Sequence, residues 1–574
     1  MENLPPTSGL RRVDLRICLL LALLCIGIYN ANWRVITASD TYSTRFLPFA
    51  ILGYHTLYMD EIASAASEGR THPYWIITNP RGHLVSRYSI VTPLLVTPLY
   101  IPAAIYLHAR GWTEHRMDRL ARLMEKISAS LIASLSVTIL YLALRRRAEV
   151  RTALLLSIAF AFGTNIWALS SQGLWQHGLA GLLLASMLLL ITGPCTKARA
   201  FAAGFLCALI PFNRSADGLF AIALGVYSIM WARRSMWLVM AGGIVSSAPL
   251  LAYNIGVMGS ILGGDGSTIN ADFYRFSMPA GAAGLLFSPA RGLFFFTPFL
   301  IALPFGLWRI FRRPAPDPSG VTEAGPGDRP LFILICISFV LQVLVYSKAD
   351  WRDGAAWGPR YLTDVLPFFI WMMVPVVDAM GRLGLAVFKL AVGISIAIQA
   401  VGAFWYTGKS DELLNILATT PAAMHAVWNL RKTPFIVEFR HPRAMRDLTL
   451  NVQGCIDSVT AGGHEITEAP ADSVINVSGW TLAGHRTPWR IIAQLVPLGD
   501  FGEHYVLQDT LAFNSRPDVA NTVHSLSPVG WSISLKLNGL PPGDYVIEVT
   551  EQAGDGAEFR PVSRRAFKVI PKQP

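Results

Sequence analysis

The chain has 574 residues, of which 52% are hydrophobic and only 15% are charged, and its formal net charge at neutral pH is +11. A soluble protein of this length carries more charge and fewer long apolar runs, so the composition predicts a polytopic α-helical membrane protein. The basic residues stand in short clusters between apolar runs, as at 145–147 and 312–313. That pattern is typical of residues that set membrane orientation. We therefore expect membrane lipids as partners, and no nucleic acid.

The first apolar run predicts a helix over about 15–31. Arginines precede it and no small-residue cleavage site follows, so we expect it to begin in the cytoplasm and to remain in the mature protein. The polar stretch after this helix carries Asp40 and the pair Asp60 and Glu61. These carboxylates are therefore expected on the outer side of the membrane.

The next apolar run, 90–107, contains three prolines, and each proline removes a hydrogen-bond donor from a helix. If this run crossed the membrane, the basic cluster at 145–147 would face outward, against the positive-inside rule. We predict instead a kinked interfacial helix within a first outer loop over about 32–121.

Ten further crossings are predicted over about 122–145, 152–170, 174–193, 201–212, 219–231, 236–254, 292–311, 330–347, 361–380 and 383–405. The fourth and fifth of these runs are too short to cover a bilayer core. Arg214 and Asp217 lie between them and are expected in a polar cavity below the outer surface. Eleven crossings in all, within a transmembrane domain over 1–405, place the carboxyl terminus outside. A Pro/Gly-rich linker at 314–329 is expected in the cytoplasm.

The composition changes after the last apolar run. The segment 406–469 is interpreted as a juxtamembrane connector. Short segments that alternate between apolar and polar residues, separated by turns such as PPGD, follow in 470–574. This pattern predicts a small antiparallel β-sandwich as an extracytoplasmic accessory domain.

The carboxylates and arginines at the outer ends of the predicted helices are the candidates for chemistry. Asp40, directly after the first helix, is suited to act as a general base, whereas the structural alternative is an N-cap of the segment that follows. Asp60 and Glu61 form a second acidic candidate, for which the alternative is a solvated loop pair. Both assignments of the base stay open at this point.

Three arginines are candidates for binding an anionic group such as a phosphate: Arg360, Arg214 and Arg291. The structural alternative for Arg360 is an interfacial arginine that reaches lipid headgroups, and for Arg214 it is an ion pair with Asp217. Further substrate contacts are expected from residues near these groups: Arg45, Gln176, His177 and Trp357. The six cysteines offer no disulfide framework and no spacing for metal ligands, so no metal site is predicted.

Five segments resemble a known group of membrane enzymes: SDTYSTRFLP, SRYSIVTPLLVTP, LWQHG, LLFSPARGLFFFTP and WGPRYLTDVLP. Together with the order of helices, they resemble the GT-C superfamily of integral-membrane glycosyltransferases, in the branch of protein O-mannosyltransferases and aminoarabinose transferases. The resemblance covers about 15–405. In that superfamily an acidic motif after the first helix holds the catalytic base. The common motif is Asp-Glu, whereas Asp40 is followed by Thr41 here. This difference leaves open whether Asp40 or the Asp60–Glu61 pair is the base, although the position directly after the first helix favours Asp40.

The resemblance implies an inverting glycosyltransferase that moves a sugar from a polyprenyl-phosphate donor to a hydroxyl of a glycan, lipid or protein. It implies a place in the bacterial inner (plasma) membrane, with the reaction on the extracytoplasmic face. A divalent metal is compatible with this reaction but is not required, because arginines can supply the positive charge. Two other classes stay open: a flippase or transporter of lipid-linked sugars, and a non-enzymatic protein of cell-envelope assembly.

Overall fold

The computed structural model describes residues 12–36, 38–66, 74–266, 276–312, 328–349, 351–352, 356–406, 408, 410–411, 427–440, 452–483, 490–497, 506–510, 512–523, 528–552 and 559–571. The chain forms two compact units. The first is helical, extends to Asp411 and includes Val427–Phe439, and the second holds the β-strands that begin at Val452. The predicted combination of a helical region and a carboxyl-terminal β-region is confirmed.

The helices of the first unit follow the apolar runs of the sequence. They are α1 (Arg12–Asn30), α2 (Ser39–Tyr54), α3 (Ala63–Ala66), α4 (Val91–Arg110), α5 (Glu114–Arg145), α6 (Val150–Gly163), α7 (Gln176–Ile191), α8 (Lys197–Asn213), α9 (Gly218–Trp231), α10 (Met236–Tyr253), α11 (Gly263–Gly266), α12 (Met278–Phe287), α13 (Leu293–Phe296), α14 (Ala302–Arg312), α15 (Asp328–Lys348), α16 (Leu366–Met372), α17 (Val374–Asp378) and α18 (Arg382–Phe404). A further short helix covers Pro434–Arg440.

Among the described residues, six helical segments are long and apolar enough to cross a membrane, judged by length and composition: Arg12–Asn30, Val91–Arg110, Glu114–Arg145, Arg233–Met258, Asp328–Lys348 and Arg382–Phe404. Shorter apolar helices of 10–17 residues accompany them. These helices indicate a membrane protein, in agreement with the composition. The number of eleven crossings stays a prediction.

Helices α1 and α5 are antiparallel and define the two ends of the helical unit. At one end Asn30 donates a hydrogen bond to Ser130 at 3.0 Å, and at the other end Arg145 pairs with Asp14 at 2.8 Å. A helix rises 1.5 Å per residue, so about 22 Å of α5 separates Ser130 from Arg145. That distance approaches the roughly 30 Å thickness of a bilayer core.

Helix α2 lies at the Asn30 end of the unit. Its Arg45 is fully buried and contacts Glu125, on the turns of α5 before Ser130, at 3.3 Å. Because α2 follows α1 at this end, the cluster that begins at Arg145 lies at the opposite end from the first loop.

Helix α4, predicted over 90–107 as an interfacial segment, is a 20-residue helix with Pro98 and Pro102 inside it. It packs along α2, and near its start Thr92 donates a hydrogen bond to Asn213 at 2.9 Å, at the end of α8. Packing beside α2 fits an interfacial position, but 20 residues also suffice for a crossing. That α4 does not span therefore stays a prediction.

Three predicted helices are interrupted in the structure. The run 152–170 consists of α6 and a π-turn at Ile166–Ser170, and the run 292–311 is divided into α13, a 3-10 turn at Pro298–Ile301 and α14. The run 361–380 is a 3-10 turn followed by α16 and α17. Prolines account for part of this, because Pro298 has no amide hydrogen to donate to a preceding carbonyl. Apolar character alone did not reveal these breaks.

Helices α8 and α10 approach each other at two glycines. A Cβ atom on Gly204 would collide with the carbonyl of Val239, and one on Gly242 with the carbonyl of Phe201. Small residues allow this close backbone contact between apolar helices. The predicted interruption after α8 is present as a 3-10 turn, Ser215–Asp217, and the following α9 has 14 residues, or about 21 Å.

The first loop carries a short hairpin of β1 (Ile76–Thr78) and β2 (Leu84–Ser86). The strands of the second unit are β3 (Val452–Ala461), β4 (His464–Glu465), β5 (Glu468–Pro470), β6 (Val474–Ala483), β7 (Arg490–Pro497), β8 (Val506–Thr510), β9 (Gly530–Lys536), β10 (Gly543–Gln552) and β11 (Phe559–Ile570), with a helix at Pro517–Val523.

The second unit has two sheets. Their strand orders are β5-β11-β10-β7-β8 and β4-β3-β6-β9. The named strand pairs are antiparallel except β5 and β11, which are parallel. Apolar side chains from both sheets, such as Ile475, Leu535, Leu495 and Ile547, form one buried core. This is the arrangement of a β-sandwich.

The β-unit begins earlier than predicted. Strand β3 starts at Val452, inside the segment 406–469 that was interpreted as a connector. Its sequence, VQGCIDSVTA, includes Gly454 and Asp457, and its pairing with β6 shifts between Ile456 and Ser458. A glycine and a bulge weaken the alternation by which a strand is recognised. The predicted linker at 314–329 lies outside the described residues, except for Asp328 and Arg329 at the start of α15.

Candidate active site

Asp40 lies in the first turn of α2 and is the centre of a cluster of polar side chains. The hydroxyls of Tyr74 and Tyr88 each donate a hydrogen bond to its Oδ1 at 2.6 Å. Arg360 donates from Nη1 to its Oδ2 at 3.2 Å. The side chain of Asp40 is 28% exposed and that of Arg360 is 14% exposed. The carboxylate is therefore held firmly and still reaches solvent.

Asp40 is not the N-cap of α2, which was the structural alternative for this residue. The N-cap of α2 is Ala38, without a side-chain cap, and Asp40 stands two residues further on. A carboxylate in the first turn still interacts favourably with the helix dipole. Its hydrogen-bond partners, however, come from other parts of the chain rather than from the end of α2.

The surroundings of Asp40 keep it ionised. Burial raises the pKa of this carboxyl, but the charge of Arg360 and the hydrogen bonds from Tyr74 and Tyr88 outweigh burial, and the pKa is lowered from its ordinary value. His177 adds a smaller effect in the same direction. At neutral pH Asp40 is a carboxylate that can accept a proton.

A tight turn places Arg360 opposite Asp40. Gly358 has a positive φ of 65°, and a Cβ atom there would meet the ring of Phe296 at 2.8 Å. Pro359 follows, and Arg360 begins the 3-10 turn before α16. Its guanidinium lies over the ring of Tyr361, 4.9 Å from the centroid, and also contacts the Tyr361 hydroxyl at 3.1 Å. The Gly-Pro-Arg sequence thus fixes a cation near the surface.

A second cluster surrounds Asp364, which is fully buried just before α16. His177 Nδ1 lies 2.9 Å from one carboxylate oxygen, and Arg214 donates to the other at 2.6 Å. Arg214 also approaches Asp217 at 3.5 Å and donates to the hydroxyl of Tyr346 at 2.7 Å. The ion pair of Arg214 with Asp217, which was the structural alternative for this arginine, is therefore present, but the closer partner is Asp364.

The two clusters are adjacent. His177 lies within electrostatic range of both Asp40 and Arg360. The groups come from helix ends: His177 from the start of α7, Arg214 from the end of α8, and Asp364 from the turn before α16. Arg360 directly precedes the broken run 361–380, and Asp364 lies in it. Arg214 and Asp217 lie at the interruption between α8 and α9, so these two interruptions occur where the polar groups converge.

Arg291 has a different environment. It is buried, donates to Asp411 at 2.6 Å and to the carbonyl of Arg352 at 3.3 Å, and also binds the carbonyl of Ala356. The hydroxyl of Tyr406 donates to the same carboxylate. This is an internal ion pair that braces a loop, and it shares no hydrogen bond with Asp40 among the described residues.

Arg45 and Trp357 are buried in packing roles. Arg45 contacts Glu125 at 3.3 Å and Asp118 at 3.6 Å. Trp357 packs against Phe296 in an edge arrangement, with ring centroids 5.6 Å apart. The side chain of Gln176, by contrast, is half-buried at the start of α7.

Asp60 and Glu61 lie together in a 3-10 turn and are exposed. Asp60 accepts a hydrogen bond from the amide of Leu84 at 2.9 Å and lies 3.1 Å from Nδ1 of His83. These contacts hold the β1–β2 hairpin. In the part of the chain that the structure describes, no contact joins this pair to the Asp40 cluster.

Several residues of the two clusters were not predicted from the sequence, among them Tyr74, Tyr88 and Asp364. Each lies in a segment that carries other candidates, and Asp364 comes four residues after Arg360 in WGPRYLTD. A carboxylate one helical turn from an arginine at a helix mouth is the signal that could have identified Asp364. Within the described residues, no group of three or more His, Cys, Asp and Glu side chains could hold a metal ion.

Comparisons of this chain with protein-family models, with curated proteins and with solved structures found no match.

Proposed function

We propose that this chain is an inverting membrane glycosyltransferase that moves a sugar from a polyprenyl-phosphate donor to an acceptor hydroxyl, with Asp40 as the general base. The observation that carries the proposal is the pairing of Asp40 with Arg360 at 3.2 Å, with two tyrosine hydroxyls on the same carboxylate. A base and a cation side by side are what such a transfer requires.

In this mechanism the Asp40 carboxylate takes the proton of the acceptor hydroxyl as the hydroxyl oxygen attacks the anomeric carbon of the donor sugar. The bond from that carbon to the phosphate oxygen breaks, and polyprenyl phosphate leaves with the electron pair. Arg360 stabilises the charge that grows on the phosphate. Tyr74 and Tyr88 hold the carboxylate in place, so that it is oriented before the acceptor arrives.

Arg360 links donor binding to the strength of the base. In the free protein its charge lowers the pKa of Asp40. When a donor phosphate binds the guanidinium, part of that charge is neutralised, and the pKa of Asp40 rises. Asp40 then becomes a stronger base only when donor is present, and the acceptor is not activated without it.

Arg214 is assigned a positioning role rather than a direct contact with donor. It already faces two buried carboxylates, Asp217 and Asp364. Through Asp364 it orients His177, which lies near both Asp40 and Arg360. His177 is then the residue of this second cluster best placed to contact the acceptor or the donor phosphate.

The proposed setting is the extracytoplasmic face of a bacterial inner membrane. The apolar helices of the described chain support a membrane location. The distance of about 22 Å along α5 between Ser130 and Arg145 supports placing the Asp40 cluster and the arginine cluster on opposite sides. With the active site outside, a lipid-linked donor is the suitable sugar source, because its polyprenyl chain keeps it in the membrane.

The test is transfer of radiolabelled sugar from a polyprenyl-phosphate donor by the purified protein in lipid nanodiscs. Wild-type protein should label an acceptor, and Asp40→Asn should not. Asp60→Asn is the matched control, since it makes the same chemical change in the same loop and should retain most activity. Activity of Asp40→Asn equal to wild type would refute the assignment of the base, and no transfer by wild type from any donor of this class would refute the function.

A further inference from the structure

An apolar groove lies between α5, α7 and α8. Its volume is about 440 Å³, and its lining includes Ile139, Leu189, Leu190, Phe201, Phe205 and Leu206. All of these side chains are half-buried rather than buried. The hydroxyl of Ser186, the polar member of the lining, donates to the carbonyl of Leu182 within its own helix. The groove therefore offers an apolar surface of the size that binds a small ligand or an acyl chain.

Two arginines stand at one end of this groove. Arg146 donates to the carbonyl of Leu189, a groove residue, and to Thr192 Oγ1 at 3.4 Å. Arg199, two residues before Phe201, donates to the carbonyl of Pro194 at 3.1 Å. A Cβ atom added to Gly193 would collide with the Nη1 atoms of both arginines. The two guanidinium groups thus converge on one glycine.

The described residues provide neither arginine with an ion-pair partner. Burial and the charge of Arg199 lower the pKa of Arg146 to about 10. An arginine side chain is cationic at neutral pH, so two like charges face each other at a half-buried position. An anion between them would relieve this repulsion. Capping of the end of α7 accounts for Arg146, but it does not explain why Arg199 converges on the same point.

The two arginines lie at the end of the helical unit that holds Arg145, opposite the Asp40 cluster. By the positive-inside rule this end faces the cytoplasm. The cytoplasmic leaflet is rich in anionic lipids, and basic pockets between helices on that side bind their headgroups.

We propose that this groove binds an anionic phospholipid, with the lipid phosphate between Arg146 and Arg199 and an acyl chain along the apolar lining. The site is separate from the proposed active site and does not depend on the proposed activity. Each part of the site matches one part of the lipid. The two guanidinium groups match the phosphate, and the adjoining apolar groove matches an acyl chain.

The test is native mass spectrometry of the full chain in micelles that contain phosphatidylglycerol or phosphatidylcholine with the same acyl chains. Wild-type protein should retain one phosphatidylglycerol in preference to phosphatidylcholine. Arg199→Gln and the double variant R146Q/R199Q should lose that preference, with retention lower by about tenfold or more. The matched control is R151Q/R382Q, which removes two exposed arginines at the starts of α6 and α18. It should bind as wild type does.

Ala202 also lines the groove. Ala202→Trp fills the groove while both arginines remain, so it should abolish retention of the lipid, and this result does not depend on whether R146Q/R199Q folds. Inorganic phosphate alone should not compete at millimolar concentration, because it makes no use of the groove. Equal retention of the two lipids by wild type, equal loss in R151Q/R382Q, unchanged binding in Ala202→Trp, or full competition by inorganic phosphate would each overturn the proposal.

Discussion

Asp40 and Arg360 are 320 positions apart in the chain, and their side chains meet at 3.2 Å. One comes from the first turn of α2 and the other from the turn before α16, so the contact joins an early and a late segment of the helical unit. Each residue affects a property of the other: Arg360 affects the ionisation of Asp40, and Asp40 affects the position of Arg360. The cation lowers the pKa of the carboxyl and so keeps it ionised, and the carboxylate holds the guanidinium in place.

Asp40→Asn keeps the shape of the side chain but cannot accept a proton. We expect kcat for sugar transfer to fall by about 10²–10⁴-fold. The donor KM should stay the same or decrease, because Arg360 no longer has a charged competitor for the phosphate. Steady-state kinetics with varied donor measure both quantities.

If Asp40→Asn stays active, three further variants can locate the base: His177→Ala, Asp60→Asn and Glu61→Gln. An active Asp40→Asn with an inactive His177→Ala would move the base to the His177–Asp364 pair. An active Asp40→Asn with an inactive Asp60→Asn or Glu61→Gln would move it to the second acidic pair. Full activity in Asp40→Asn and in all three further variants would show that none of these residues is the base.

Arg360→Ala removes the proposed phosphate contact. A charge-assisted contact contributes about 1.5–3 kcal/mol, so the donor KM should rise roughly tenfold to a hundredfold. kcat should also fall if the contact strengthens in the transition state. Arg360→Lys should restore only part of the loss, because an ammonium cannot form two parallel hydrogen bonds to one phosphate. Complete rescue by lysine would show that only the charge matters.

Arg291→Met tests the internal ion pair with Asp411. Removing one partner of a buried pair costs about 3–5 kcal/mol, because the other charge stays buried. We expect a large decrease in Tm, whereas the donor KM of the folded fraction should change far less than in Arg360→Ala. The double variant R291M/D411N leaves no unpaired charge and should recover part of the lost stability. A KM effect as large as that of Arg360→Ala would return Arg291 to the donor site.

Titration of Asp411, the partner of Arg291, should make the stability of the Arg291→Met variant depend on pH. Burial raises the pKa of Asp411 to about 6, despite the charge of Arg291. A carboxyl whose folded-state pKa is raised stabilises the fold at low pH, and this contribution is lost as pH rises through the folded value. Arg291→Met should therefore have a higher Tm at pH 5 than at pH 8, and the double variant should not show that difference.

Membrane topology can be tested at two exposed positions, Arg81 in the β1–β2 hairpin and Glu149 before α6. In a background without cysteine, Arg81→Cys should react with an impermeant maleimide added to intact cells or spheroplasts. Glu149→Cys should react only after the membrane is permeabilised. Labelling of Glu149→Cys from outside would mean that α4 crosses the membrane, and it would contradict the positions assigned to both clusters.

The sequence was sufficient to predict Asp40, Arg360, His177 and Arg214 on one side of the membrane, because each stands at the predicted outer end of an apolar run. That they form two adjacent clusters is evident only from the structure. It was not sufficient for Arg291, which has the same kind of position but faces Asp411, 120 residues away. Position along a helix is encoded locally, whereas the direction of a side chain depends on what packs around it. For the same reason Tyr74 and Tyr88, 34 and 48 residues from Asp40, could not be assigned to it beforehand.

Tyr74→Phe and Tyr88→Phe test whether hydrogen bonds tune the proposed base. Each tyrosine donates to the charged form of Asp40 and lowers its pKa. Removing one hydroxyl should raise that pKa, so that the acid limb of the pH profile of kcat moves to higher pH. Y74F/Y88F should move it further than either single variant.

The lowered pKa of Asp40 also determines how the stability of Y74F/Y88F changes with pH. A carboxyl whose folded-state pKa is depressed stabilises the fold above its unfolded pKa, and the contribution is lost as pH falls through the folded value. The double variant should therefore be less stable than wild type at neutral pH and should approach it in acid. Tyr106→Phe, on an exposed side chain of α4, makes the same chemical change away from Asp40 and should leave both profiles unchanged. If the acid limb of Y74F/Y88F coincides with that of wild type, Asp40 is not the group that limits transfer at low pH.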